Sequence, residues 1–209
     1  MTEVAGNMIS HSHKFIFIHV PKTAGTSIAT ALRPYGLTGA GHYTLQKIQD
    51  RSSITDDQLN TFYKFAVVRN PWDIVVSHYF YSKIKKSFWH SDDFSTRYNQ
   101  HPDYKLANNN IFKEFVSLLI NSKLNSSITR KKQSHWLDKR LDFLIRFETL
   151  KEDFAKVCNK IGCSDVILNN INTTKHNHYS TYYDDESRDW VSKYFSKDIK
   201  RLGYEFETI

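Results

Sequence analysis

Cysteine, proline and glycine are scarce in this chain, at two, four and seven of 209 residues. Two cysteines cannot build a disulfide framework, and Cys158 and Cys163, five positions apart, do not have the spacing of a zinc knuckle. They read as reduced thiols in or near a core, which points to a reducing compartment. So few prolines and glycines exclude collagen-like and linker-rich sequence. No apolar run approaches the roughly 20 residues that a membrane-spanning helix needs. Residues 1–13 are mixed and polar, without the apolar segment of a signal peptide. Together these absences carry the expectation of a cytoplasmic protein. Acidic side chains are also the minority, 22 against 29 Lys+Arg, a formal net charge of +7. That excess suits a polyanionic partner: nucleic acid, acidic lipid, or a multiply phosphorylated or sulfated small molecule. Charge alone does not choose among them.

What is present is enough for a core. Hydrophobic residues make up 40% of the chain and aromatics 14%, which excludes a disordered polymer. The length fits one domain, read here as residues 14–209 after a flexible N-terminus, 1–13. Lys14-Phe-Ile-Phe-Ile-His-Val20 reads as a strand buried on both faces, the habit of a parallel sheet covered by helices. Pro21 and Gly25 punctuate it, and a helix over 26–33 is stopped by Pro34. The pattern repeats: the apolar run Phe62–Val68, a turn at Arg69-Asn-Pro-Trp, then a helix with Val75, Val76, Tyr79 and Phe80 on one face. Residues 85–110 read as an excursion over the sheet, and Ile111–Ile120 as a helix. Asp142–Arg146 is a third strand. Thr149 and Glu152 have the spacing of a capping box, ahead of a helix ending at Gly162. A last helix runs from about Asp184 to Gly203. Strands alternating with helices predict an α/β fold with a mostly parallel central sheet flanked by helices.

The first strand runs into Pro21-Lys22-Thr23-Ala24-Gly25-Thr26-Ser27 at the start of a helix. Backbone N–H groups at a helix N-terminus have no partner within the helix, and the dipole adds positive charge. Gly25 lets the backbone approach an anion, Thr26 and Ser27 offer hydroxyls, and Lys22 brings a full charge. A Walker A loop has its lysine after the last glycine; here Lys22 precedes Gly25 by three, which disfavours an ATP or GTP hydrolase.

In Phe17-Ile-His-Val-Pro-Lys-Thr-Ala-Gly-Thr-Ser27 the chain resembles the 5′-phosphosulfate loop of sulfotransferases that use 3′-phosphoadenosine 5′-phosphosulfate (PAPS). The similarity is to the carbohydrate sulfotransferases, which include the heparan-sulfate 2-O type and bacterial homologues. That resemblance implies a three-layer, P-loop-like α/β fold. It also implies a second motif for the 3′-phosphate: a strand, an Arg, and a Ser eight residues later on a helix. The chain supplies it as Phe65-Ala-Val-Val-Arg69-Asn-Pro-Trp-Asp-Ile-Val-Val-Ser77. Arg69 is a bidentate donor suited to a phosphate, and Ser77 can add a neutral hydrogen bond. Ile74 stands where many relatives have Arg. Weaker similarity continues through Leu144-Ile-Arg-Phe-Glu-Thr-Leu150 and Tyr182-Tyr-Asp-Asp-Glu186 to Gly203-Tyr-Glu-Phe206.

The resemblance implies PAPS as co-substrate, bound by residues 22–27 (Lys22, Thr23, Ala24, Gly25, Thr26, Ser27), Arg69 and Ser77, with Lys175 as a third cation in the polar loop before the last helix. Lys22 is then the cation at the bridging oxygen. A hydroxyl acceptor needs a base near neutral pH, and His suits that task. His42, in Gly39-Ala-Gly-His-Tyr-Thr44, is the expected base, because relatives carry a His here in a similar H-x-T setting. The Glu that some other sulfotransferases use is missing, since no Glu lies between Glu3 and Glu114. His176 and His178, like His11 and His13, form H-x-H pairs with no Cys or carboxylate at strong ligand spacing, so no metal is expected. The implied acceptor is a glycan or glycoconjugate. Two other readings stay open at this point: a P-loop nucleotide-dependent kinase and a non-catalytic polyanion-binding protein.

Overall fold

The computed structural model describes residues 8–39, 41–84, 101–169 and 176–209. In chain order its elements are β1 (Ile9–Ser10), β2 (Phe15–Ile18), α1 (Gly25–Ala31), α2 (Leu45–Arg51), α3 (Asp56–Thr61), β3 (Tyr63–Val68), α4 (Pro71–Ser82), α5 (Tyr104–Asn109), α6 (Phe112–Ile120), β4 (Phe143–Arg146), α7 (Leu150–Ile161), α8 (Asp185–Tyr194) and α9 (Ser196–Leu202). They fall into two compact units, 1–69 with 133–173 and 70–132 with 174–209. Among the described residues no helix is long and apolar enough to cross a membrane.

The first unit holds the sheet. Its order is β1-β2-β3-β4, with β1 antiparallel to β2 and the other two pairings parallel. The mixed α/β class and the mostly parallel central sheet are as the sequence predicts. Every residue of β2 is buried, and the rings of Phe15 and Phe17 lie 5.9 and 5.2 Å from that of Phe65 on β3. β1, which the sequence reading did not foresee, pairs Ile9 with Ile16 and Ser10 with Phe15. Lys64 sits inside the apolar run of β3 because Asp142 receives it. Its Nζ is 3.2 Å from the carboxylate, and its own N–H donates to that carboxylate at 2.7 Å. The same residues close the loop in reverse, Asp142 N–H to Lys64 C=O at 2.7 Å.

Local signals explain the helices, with some differences from expectation. α2 and α3 begin at Thr44 and Thr55, whose hydroxyls accept from Lys47 and Gln58 N–H; Thr55 and Gln58 complete a capping box. No such box forms at α7. A short 3₁₀ turn (Phe147–Thr149) precedes it, and the Thr149 hydroxyl donates to Asp153 at 2.9 Å, so Glu152 has nothing to reciprocate. Gly162 ends α7 in the left-handed region, φ 72°.

In the second unit Pro71 takes the first position of α4, and Asn70 caps it by accepting from Trp72 N–H at 3.0 Å. α4 is not the two-faced helix expected. Ser77 and His78 are as buried as Val75 and Val76, so it reads as an interior helix. Its Tyr79 ring packs edge-on against Phe112 and Phe115 of α6, at 5.5 and 5.3 Å. The expected single last helix is two. Phe195 leaves helical geometry at φ −99°, ψ 18°, stays buried, and serves both as the end of α8 and the start of α9.

Candidate functional site

The loop after β2 is built on two non-glycine residues with positive φ, Lys22 at 63° and Ala24 at 65°. Each costs about 1–2 kcal/mol for an L-residue, so the surroundings must hold them. Thr23 does part of this: it is buried, and its hydroxyl donates to Val20 C=O at 2.9 Å. Its side chain is thereby committed to the loop, and what it can offer a ligand is its N–H. Ala24, left-handed, is followed directly by helical Gly25, an arrangement that turns successive N–H groups toward one concavity. As the N-cap residue, Ala24 has no side chain that could accept from the first turn.

Gly25 has a packing reason beyond any ligand. A Cβ placed there would fall on the imidazole of His19, with His19 Cγ at 2.7 Å and Cδ2 and Nε2 closer still. His19, 5% exposed, therefore lies against the helix start, beneath the loop.

Arg69 follows the last residue of β3 and is 7% exposed. Its Nη1 donates to Lys22 C=O at 3.0 Å, which brings the two strand-end loops together. Its guanidinium carbon lies 3.9 Å from the ring centroid of Phe147. Burial first, and the neighbouring Arg69 charge second, together lower the Lys22 ammonium to about 7.

His42 completes the group. Its Nδ1 is 3.0 Å from His19 C=O. A carbonyl only accepts, so Nδ1 carries the proton and, in the neutral ring, Nε2 presents a lone pair. Burial holds its pKa below the usual 6.5; the bond to His19 opposes this and the Lys22 charge reinforces it. Its ring centroid is 4.1 Å from that of His19. Thr44, two residues on, anchors the segment by capping α2.

Of the residues singled out from sequence, Lys22–Ser27, Arg69 and His42 thus lie together in the first unit. Ser77 is buried on α4 of the second unit. Lys175 lies outside the described residues. His176 and His178 turn to separate partners, Asn177 C=O at 2.7 Å and the Ser180 hydroxyl at 2.9 Å. Among the described residues no cluster of three metal-type side chains occurs. Two residues escaped the sequence reading. Gln133 binds the main chain of Arg69 from 64 positions away, with no local signal. Phe147 lay within the quoted Leu144–Leu150 segment but carried no assigned role. Beside the loop, a cavity of about 310 Å³ is lined by Ser27, Thr30, Ala31, Pro34 and Tyr35 together with Asp165–Ile167 and Asn169.

The α/β fold thus brings a lysine loop at a strand-to-helix junction, an arginine at the next strand end and an adjoining histidine to one place. The family is then specific: the model described as "Sulfotransferase family" matches residues 6–205, and the chain belongs to that family. Among solved structures, the crystal structure of mouse sulfotransferase SULT7A1 complexed with PAP is similar, with a TM-score of 0.51 at 14% identity. The alignment covers 93% of this chain and 87% of that one. At that identity the likeness carries the fold, and the P-loop-like α/β class expected from sequence stands with it. A comparison with curated proteins returns no match.

Proposed function

We propose that this sulfotransferase moves the sulfuryl group of PAPS to a hydroxyl, with a carbohydrate as acceptor and residues 14–209 as the working domain. The observation that carries the reading is the 3.0 Å bond from Arg69 Nη1 to Lys22 C=O, which sets two cations from separate loops side by side. A donor with phosphates at two positions of one nucleoside needs that pairing. The PAP in the similar mouse structure supports the same ligand class here. The cavity beside Ser27 has the volume of a small ligand subsite and supports placement of the nucleoside.

In the reaction the acceptor oxygen attacks sulfur in line while the bond from sulfur to the bridging oxygen breaks. Charge grows on the departing phosphate, and Lys22 with the N–H groups of residues 23–27 stabilises it. Nε2 of His42 takes the acceptor proton. Arg69 holds the 3′-phosphate. Ser77 and Lys175 enter the proposal from the sequence alone. The net charge of +7 favours an acidic glycan as acceptor.

Titration calorimetry with adenosine 3′,5′-bisphosphate tests the site. The protein is expected to bind it, and Arg69→Ala to weaken binding about tenfold or more, as loss of a charge-assisted phosphate contact requires. Wild-type affinity in Arg69→Ala would refute the assignment. Transfer from PAPS to a glycan acceptor should persist in EDTA.

A further inference from the structure

The main chain of Arg69 is held by a side chain. Gln133 Oε1 accepts from Arg69 N–H at 2.9 Å, and Gln133 Nε2 donates to Arg69 C=O at 2.8 Å. That is the pair of bonds a neighbouring strand would exchange with this residue, supplied one position past the end of β3. Gln133 is 2% exposed, so water does not compete for either bond. The guanidinium is constrained separately. Phe147 opens the 3₁₀ turn after β4 and places its ring centroid 3.9 Å from Arg69 Cζ, a cation–π contact that holds the group from one side. The bond from Nη1 to Lys22 C=O holds it at a second point. An arginine side chain carries about 2 kcal/mol of rotamer entropy, and these contacts remove much of it before any ligand arrives. The same bond restrains the left-handed main chain of Lys22.

We infer that Gln133 and Phe147 are positioning residues for Arg69, and that the guanidinium they fix is a strut between the second loop and the main chain of Lys22. The inference rests on the sulfotransferase reading given above. A preorganised guanidinium raises affinity because the ordering is complete in the free protein.

The test is a double-mutant cycle read by calorimetry with adenosine 3′,5′-bisphosphate. Phe147→Leu keeps an apolar side chain and removes the π face; it is expected to weaken binding about fivefold, the size of a partly buried cation–π contact. Phe147→Tyr keeps the face and should bind within about twofold of wild type. In the Arg69→Ala background, Phe147→Leu should have no further effect. Gln133→Leu should follow the same pattern, and the Phe147 series decides the matter if that variant does not fold. An equal loss from Phe147→Leu in both backgrounds would overturn the inference, because the ring would then act on the nucleotide or the fold and not through Arg69. So would wild-type affinity in Phe147→Leu when Arg69→Ala is weakened. Undiminished binding in Arg69→Ala is a different failure, that of the site assignment itself.

Discussion

Two lysines in the first unit are sequestered in opposite ways. Lys64, 4% exposed near the start of β3, has a carboxylate at 3.2 Å and the Phe62 carbonyl at 2.6 Å. Lys22, in the loop between the neighbouring strand β2 and α1, is depressed to about 7 by burial and by the Arg69 guanidinium. The first arrangement is closed: charge meets charge, and the result is a clamp between β3 and β4. The second gathers Lys22, Arg69 and His42, three groups of the same sign when protonated. Like charges set side by side do not by themselves add stability; under the proposed function a bound anion offsets their repulsion.

Substituting the two lysines should separate these roles most widely. Lys22→Ala is expected to lower kcat/KM for PAPS by about a thousandfold. Its urea midpoint should be unchanged or raised, because a desolvated cation is removed. Lys64→Met should do the reverse, with bisphosphate affinity within about twofold of wild type and a loss near 2 kcal/mol in unfolding free energy. Equal effects of both substitutions on binding would erase the distinction.

The pH dependence sharpens it. In the free protein Lys22 titrates near 7, and a bound anion raises that value. Above pH 7 the unbound ammonium is mostly deprotonated, so binding must take up a proton. Affinity should then fall toward about tenfold per pH unit. Calorimetry at pH 8 in buffers of different ionisation enthalpy would detect the proton, and its absence would contradict the role given to Lys22. The proposed base, His42, should behave oppositely. With its pKa held below 6.5, His42 is neutral through the physiological range, so turnover should decline only on the acid side. His42→Ala should cost about 10²–10⁴ in turnover and leave bisphosphate affinity intact. A smaller effect is expected at Ala24. Glycine tolerates its φ of 65°, so Ala24→Gly should stabilise the protein by about 0.5–1 kcal/mol in chemical denaturation.

The parts legible in the sequence are contiguous ones. Phe15–Ile18 announced a buried strand because its hydrophobic run is unbroken, and Pro71 announced the first turn of α4. The loop from Pro21 to Ser27 could be placed at a strand end for the same reason. What stayed hidden depends on partners far along the chain. Lys64 looks out of place in an apolar run until Asp142 is beside it. Gln133 sits in Lys131-Lys132-Gln133-Ser134-His135, where nothing distinguishes it from a solvated polar side chain. Competition between local bonds decided Thr149, where Asp153 accepts from the hydroxyl that a capping box with Glu152 would use. The left-handed geometry of Lys22 and Ala24 also had no signal, because neither residue is one that favours it.

The contact between Gly25 and His19 has a genealogical consequence. No side chain can be added at position 25 while the imidazole occupies that space. The two positions are therefore tied in descent: alanine or serine at 25 requires the imidazole at 19 to turn out of that space or to be replaced by a smaller side chain. Chains that share this loop should show the two sites changing as a pair, even though six positions separate them.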